Sequence, residues 1–168
     1  MLWLVLLLAV TMPFAAGALI GAPYVPILDR DRRKALDLAG LKPGQTLIDL
    51  GSGDGRLLRA AAARGIRGIG YEVNPWLVFI SRLVGWRYRQ LITIHTADFW
   101  HTKLPAADAV YFFLLDRYTT RLAAKFEAEI TRPTKVIAYI FELPGHTPVQ
   151  RTRNTYVYEF GHEAKTQR

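Results

Sequence analysis

At 168 residues the chain can bury one sizeable core but not two, and it has no cysteine for disulfides or thiolate metal sites. Its four histidines, His95, His101, His146 and His162, lack a paired ligand spacing, so no metal is expected. A formal net charge of +8 and a sequence pI near 10.0 suit nucleic acid, an anionic membrane or an acidic protein. The basic residues are dispersed rather than gathered in one run, and the apolar start of the chain favours a membrane, so no nucleic-acid partner is expected.

Residues 1–28 contain no charged side chain. Residues 2–20 are almost wholly apolar, which is the ~20-residue length that spans a bilayer as a helix. Pro13 and Gly17 are tolerated in such helices. A secretory signal is the competing reading, because small residues occur at Ala15-Ala16-Gly17-Ala18. Against it, no Lys or Arg precedes the apolar run. The first charges, Asp29-Arg30-Asp31-Arg32-Arg33-Lys34, have a basic excess, and the positive-inside rule then puts the rest of the chain on the cytoplasmic side. The expected division is an anchor and exit segment over 1–28 and one domain over 29–168. In Gly21-Ala22-Pro23-Tyr24-Val25-Pro26 the two prolines stiffen the backbone. That segment is either a plain linker or an aromatic wall for a ligand pocket.

Apolar spacing then predicts a short helix over 32–41 stopped by Gly40, a turn through Pro43-Gly44, and a buried strand from Thr46 through Leu47, Ile48 and Leu50. The strand runs into Gly51-Ser52-Gly53-Asp54-Gly55-Arg56 and an Ala/Leu-rich helix. Strand, glycine loop and helix together aim N–H groups and a helix N-terminus at an anionic ligand group. Asp49, ending an apolar strand, is placed to meet something. The pattern is not a dinucleotide fingerprint, whose third glycine would fall where Arg56 stands, and no phosphate-cradling G-x-x-x-x-G-K-[ST] loop occurs. A second strand over 66–71 ends at Glu72, which is suited to accept from both hydroxyls of a ribose.

Asn74 and Pro75 read as N-cap and first residue of a helix reaching Arg87, with Leu77, Val78, Ile80, Leu83 and Val84 as its buried stripe and Trp76 either a wall of the site or, the favoured reading, in the core. A third strand over 91–96 ends at Ala97-Asp98-Phe99-Trp100. A fourth, over 109–115, is apolar enough to be covered on both faces and ends at Asp116. Asp116 either orients or deprotonates an incoming group or caps the next helix, which begins near Thr119. A fifth strand over 135–141 and a closing hairpin over 149–160 complete the domain, and a polar tail follows.

The acidic-x-G-x-G-x-G loop with Glu72 after the second strand resembles the class I S-adenosylmethionine-dependent methyltransferases. The apolar start, Gly21-Ala22-Pro23-Tyr24-Val25-Pro26, Tyr71-Glu72-Val73-Asn74-Pro75-Trp76-Leu77-Val78 and Ala97-Asp98-Phe99-Trp100 come in that order. In that order they resemble the small membrane-anchored protein lysine methyltransferases that act on the adenine nucleotide translocase and the ATP synthase c-subunit. The resemblance implies an α/β fold, a Rossmann-like class I methyltransferase sheet. That sheet is mostly parallel with a C-terminal antiparallel hairpin and is preceded by one N-terminal transmembrane helix. It implies S-adenosyl-L-methionine as cofactor and transfer of methyl groups to lysine ε-amines of a membrane protein. Gly51, Ser52, Gly53 and Gly55 would cradle the methionyl end beside Asp49, and Glu72 would bind the ribose. Val73 and Asn74 would lie against ribose or base. Asp98 would read the adenine amino group, with Phe99 flanking the ring or filling core. The resemblance also tips Tyr24 and Val25 toward the cofactor site. Leu114-Leu115-Asp116-Arg117 departs from the family's fourth-strand ending, and the Asn-Pro-Pro-Tyr motif for planar amines is absent. A small-molecule or lipid-headgroup methyltransferase and a non-catalytic cofactor-binding domain stand as alternatives. The expected location is a bacterial inner membrane, single-pass, with the catalytic domain facing the cytoplasm.

Overall fold

The computed structural model describes Trp3 and residues 28–161. Its elements are α1 (Asp29–Ala39), β1 (Thr46–Leu50), α2 (Arg56–Ala62), β2 (Arg67–Glu72), α3 (Pro75–Val84), β3 (Ile92–Thr96), β4 (Ala109–Phe112), α4 (Thr119–Glu129), β5 (Thr134–Tyr139), β6 (Gln150–Arg151) and β7 (Thr155–Phe160). The strands form one sheet in the order β3-β2-β1-β4-β5-β7-β6. β1 to β5 pair in parallel, and β7 returns antiparallel between β5 and β6. This is the mostly parallel sheet with a C-terminal hairpin expected from the sequence. The expected span and the Tyr24–Val25 segment lie outside the described residues. Among the described residues no helix is long and apolar enough to cross a membrane.

Side chains alternate across each strand, so the sheet is buried on both faces. Ile48, Leu50, Val110 and Phe112 meet Leu122 and Phe126 of α4 on one face. Leu47, Ala109 and Ile137 meet Leu36 of α1 and Leu57 and Ala61 of α2 on the other. Along β2 the positions under α2 are glycines. A Cβ at Gly70 would sit 2.6 Å from Ser52 Oγ and 2.7 Å from Leu58 Cδ1, so the helix rests directly on strand backbone.

Five expectations are corrected. α1 begins at Asp29 rather than Arg32, because Asp29 and Asp31 suit the positive end of the helix dipole; its left-handed cap at Gly40 was legible. β4 ends at Phe112, three residues short of the expected strand, and β5 ends at Tyr139. α3 ends at Val84, and Trp86–Tyr88 form a separate 3₁₀ turn. Finally, α3 buries Leu77, Val78 and Ser81, whereas Ile80, Leu83, Val84 and Trp76 are exposed. Its rotation follows a close approach: a Cβ at Gly55 would lie 2.0 Å from Ser81 Oγ, so the smallest side chain on the helix faces the glycine loop.

Candidate active site

The strand order reverses between β1 and β4, and the carboxyl edge there is where doubly wound sheets bind ligands. The loop after β1 crosses this edge, with Gly51 (φ 79°) and Gly53 (φ 54°) in the left-handed region. Its N–H groups do not face outward as expected. Gly51 and Ser52 both donate to the Tyr71 carbonyl, at 2.9 and 3.0 Å, and Gly55 donates to the Ser52 carbonyl at 2.8 Å. Gly53 donates to Glu72 Oε2 at 2.9 Å, and Arg56 to Asp54 Oδ1 at 3.2 Å. Those five donors are turned toward β2 and the loop itself, and the Asp49 and Glu72 carboxylates lie beside them.

Glu72 is buried, and its second oxygen accepts from the Asn74 N–H at 2.8 Å. One carboxylate thus ties the loop to the start of α3, where Asn74 Oδ1 caps the helix by accepting from Trp76 N–H at 3.0 Å. Asp49 lies beside them, buried. Burial first, then the charges of Glu72 and Asp54, push its carboxyl up to about 8. Asp54 goes the other way. Burial raises it, but the hydrogen bonds and charge of Arg56, helped by Arg59, prevail and hold it below the ordinary carboxylate range. Asp49 and Glu72 have no cationic partner among the described residues. The edge therefore favours a ligand bearing positive charge over a phosphate.

The other residues singled out in the sequence are spread around this edge. Ser52 is buried with its hydroxyl against β2, so it lines the loop through backbone only. Val73 is exposed at the rim. Asp98 accepts from Trp100 N–H at 2.9 Å and pairs with His101 Nδ1 at 2.9 Å, which leaves it partly exposed just past β3. Phe99 takes the core option and packs on Trp100 at 4.7 Å. Asp116 sits apart, exposed beyond β4; its backbone carbonyl, not its carboxylate, accepts from Thr119 Oγ1 at 2.7 Å. Tyr24 and Val25 lie outside the described residues.

Sequence reasoning passed over Tyr111. It is in register with Asp49 on the neighbouring strand, and its buried hydroxyl has no hydrogen-bond partner among the described residues. Burial and then the Asp49 charge push its phenol well up. The available signal was strand alternation, which puts an Asp and a Tyr on one face of adjacent strands.

The family profile of the ANTKMT methyltransferase domain matches residues 49–150, from the loop's first carboxylate to the start of the hairpin. The chain belongs to this methyltransferase family. Its relatives include the ATP synthase c-subunit lysine N-methyltransferase of Xenopus laevis, 35% identical, covering 86% of this chain and 66% of the relative. The adenine nucleotide translocase lysine N-methyltransferase of Mus musculus is 38% identical over 76% of this chain and 56% of its own length. The chain thus spans somewhat under two thirds of those two proteins. An RNA methyltransferase from Salinibacter ruber, solved with S-adenosyl-L-homocysteine, superposes with a TM-score of 0.73 at 28% identity, covering 81% of this chain and 92% of that one. The fold is that of the class I methyltransferases. S-adenosylmethionine, the cofactor of such methyltransferases, carries a sulfonium and an ammonium group, so it is a cationic ligand of the kind the Asp49 and Glu72 carboxylates favour.

Proposed function

We propose that this chain is an S-adenosylmethionine-dependent methyltransferase that methylates lysine ε-amines of a membrane protein. The observation that carries the reading is the buried Glu72 carboxylate, fixed by the N–H groups of Gly53 and Asn74 at 2.9 and 2.8 Å beside Asp49. The substrates for which the relatives are named supply the acceptor class.

Glu72 presents its lone pairs to the ribose hydroxyls. The surface of Gly51, Ser52, Gly53 and Gly55 lies along the methionyl end, with Asp49 facing the ammonium. Asp98 receives the adenine amino group, with Val73 and Asn74 at the rim and Phe99 supporting from the core. Tyr24 and Val25 close the pocket from the entering segment. S-adenosylmethionine, when bound, supplies a methyl group activated on sulfur. The lysine nitrogen must reach it as a neutral amine, so the chain's own task is to desolvate and aim that amine, which favours loss of its proton. Asp116, exposed at the acceptor side, orients the amine on approach. Residues 1–28 anchor the domain over 29–168 in a bacterial inner membrane, facing the cytoplasm, where confinement raises the local concentration of membrane substrates.

The test is incubation of the full chain with methyl-labelled S-adenosylmethionine and host membranes, beside Glu72→Ala. Label in a protein band, converted to methyl-lysine on hydrolysis and absent with Glu72→Ala, supports the reading. Cofactor affinity in that variant is expected to fall about 10- to 100-fold, the worth of hydrogen bonds to a charged group. Label confined to lipid, RNA or small molecules overturns the lysine assignment.

A further inference from the structure

The exposed face of α3 is not used by this reading. Trp76, Phe79, Ile80 and Leu83 stand at i, i+3, i+4 and i+7, so they form one stripe, and that stripe faces away from the sheet. Val84 widens the stripe and Trp86 of the following turn extends it, with Phe79 59%, Leu83 65% and Trp86 65% exposed. Scattered single apolar side chains need no explanation, but a contiguous set on one helix and its exit turn marks an interaction surface. We propose that this face is a membrane-docking surface that lies in the interfacial layer of an anionic bilayer.

Charge decides the occupant. From Val73 to Ala97 the chain has no acidic residue and three exposed arginines, Arg82, Arg87 and Arg89. Arg89 lies over the Trp86 ring at 4.8 Å, and a cavity of about 310 Å³ lined by Arg82, Trp86 and Arg89 opens beside the stripe. A second copy of the chain docked face to face would set arginine against arginine. The chain's own apolar residues 1–28 would cover the stripe but contain no acid to meet those charges. Anionic lipid supplies both partners: acyl boundary for the stripe and phosphate for the arginines, with tryptophan at the headgroup level it favours. Position agrees, because α3 starts at the carboxyl edge of the sheet directly after β2, and α1 starts at the same edge, where Asp31 accepts from Tyr139 at the end of β5. Docking through α3 would bring the rim at Val73 and Asn74, and with it the Glu72 site, down to the bilayer surface.

The chain has no native cysteine, so single-site labelling is clean. The full chain is reconstituted with a nitroxide at Phe79→Cys, Leu83→Cys or, beside the core on the other face of the sheet, Lys103→Cys. The vesicles are of phosphatidylcholine alone or with phosphatidylglycerol. Relaxation by oxygen is compared with relaxation by a water-soluble nickel complex, and unchanged S-adenosylmethionine binding reports folding. In the mixed vesicles the labels at 79 and 83 are expected to shift toward oxygen and away from nickel, while the label at 103 stays aqueous. Arg87→Gln with Arg89→Gln is expected to reduce the shift. Labels at 79 and 83 as aqueous as that at 103 overturn the proposal. So do labels shielded from both reagents in detergent as well as vesicles: independence of protein concentration assigns the face to residues 1–28, and dependence assigns it to a second copy.

Discussion

Asp49 in β1 and Glu72 at the end of β2 flank the glycine loop without a described cation between them, and Asp49 answers by holding its proton. Its carboxyl titrates at about 8 in the fold against 3.8 as a free side chain. Between those values the native state binds a proton that the unfolded chain has lost, so this group's contribution falls as pH rises and levels off above about 8. Asp49→Asn removes that penalty. Its thermal midpoint is expected to exceed the parent's above pH 8 and to match it near pH 4, with a gain on the order of a few kcal/mol at the alkaline end. The same proton reports on the ligand. A bound ammonium lowers the Asp49 pKa, so cofactor binding at neutral pH should release a proton, and affinity should climb toward pH 8. Calorimetry in two buffers of different ionisation enthalpy measures that release; none in the parent would remove Asp49 from the cofactor site. Asp49 and Glu72 were legible in the sequence because a carboxylate ending an apolar strand is rare without a purpose. The direction of the loop's N–H groups was not legible. It depends on the Tyr71 carbonyl of a strand that touches the loop only in three dimensions.

At the scale of elements, the strands and the closing hairpin followed from apolar runs and turn residues and the sheet from the family resemblance, but the rotation of α3 did not. The helix carries two stripes, Leu77-Val78-Ser81 and Trp76-Phe79-Ile80-Leu83, and the second is the more apolar. Hydrophobicity alone selects the wrong one. Packing selects the first, because only Ser81 fits over Gly55. Truncation separates the two. Leu77→Ala is expected to cost about 2–5 kcal/mol of unfolding free energy, as for a buried leucine. Leu83→Ala should stay within about 0.5 kcal/mol. Denaturant titration of both variants checks the assignment, and a reversed order would mean that α3 is rotated. Phe99 is a related case: its spacing allowed ring or core, and the 3₁₀ turn capped by Asp98 directs it inward.

For the molecule as a whole, the question is how the entering chain relates to the site. α1 is pinned to β5 at both ends. Asp31, buried in its first turn, accepts from the Tyr139 hydroxyl at 2.7 Å, and Lys135 Nζ donates to the Ala39 carbonyl at 3.1 Å. α1 therefore runs against the direction of β5, and its N-terminus lies at the carboxyl edge of the sheet. Leu28, at the start of α1, thus lies on the edge that holds Glu72 and Asp49, the edge that the proposed role of Tyr24 and Val25 requires. The sequence did not show this, since nothing in an apolar pattern pairs Asp31 with a tyrosine 108 residues away. Tyr139→Phe tests the strap. It leaves the buried Asp31 carboxylate without its hydroxyl donor, with Arg30 Nε at 3.6 Å, and the expected loss is about 1–3 kcal/mol. Hydrogen exchange should quicken in α1 before it changes in β1 or β4, because only α1 hangs on that bond. If residues 24 and 25 close the pocket, S-adenosylmethionine affinity should fall in the same variant, although Tyr139 carries no proposed contact with the cofactor. Faster exchange with unchanged affinity would keep the strap and detach the entering segment from the site. Unchanged exchange in α1 would show that the helix is held by its apolar face, through Ala35, Leu36 and Ala39, without the Asp31 bond.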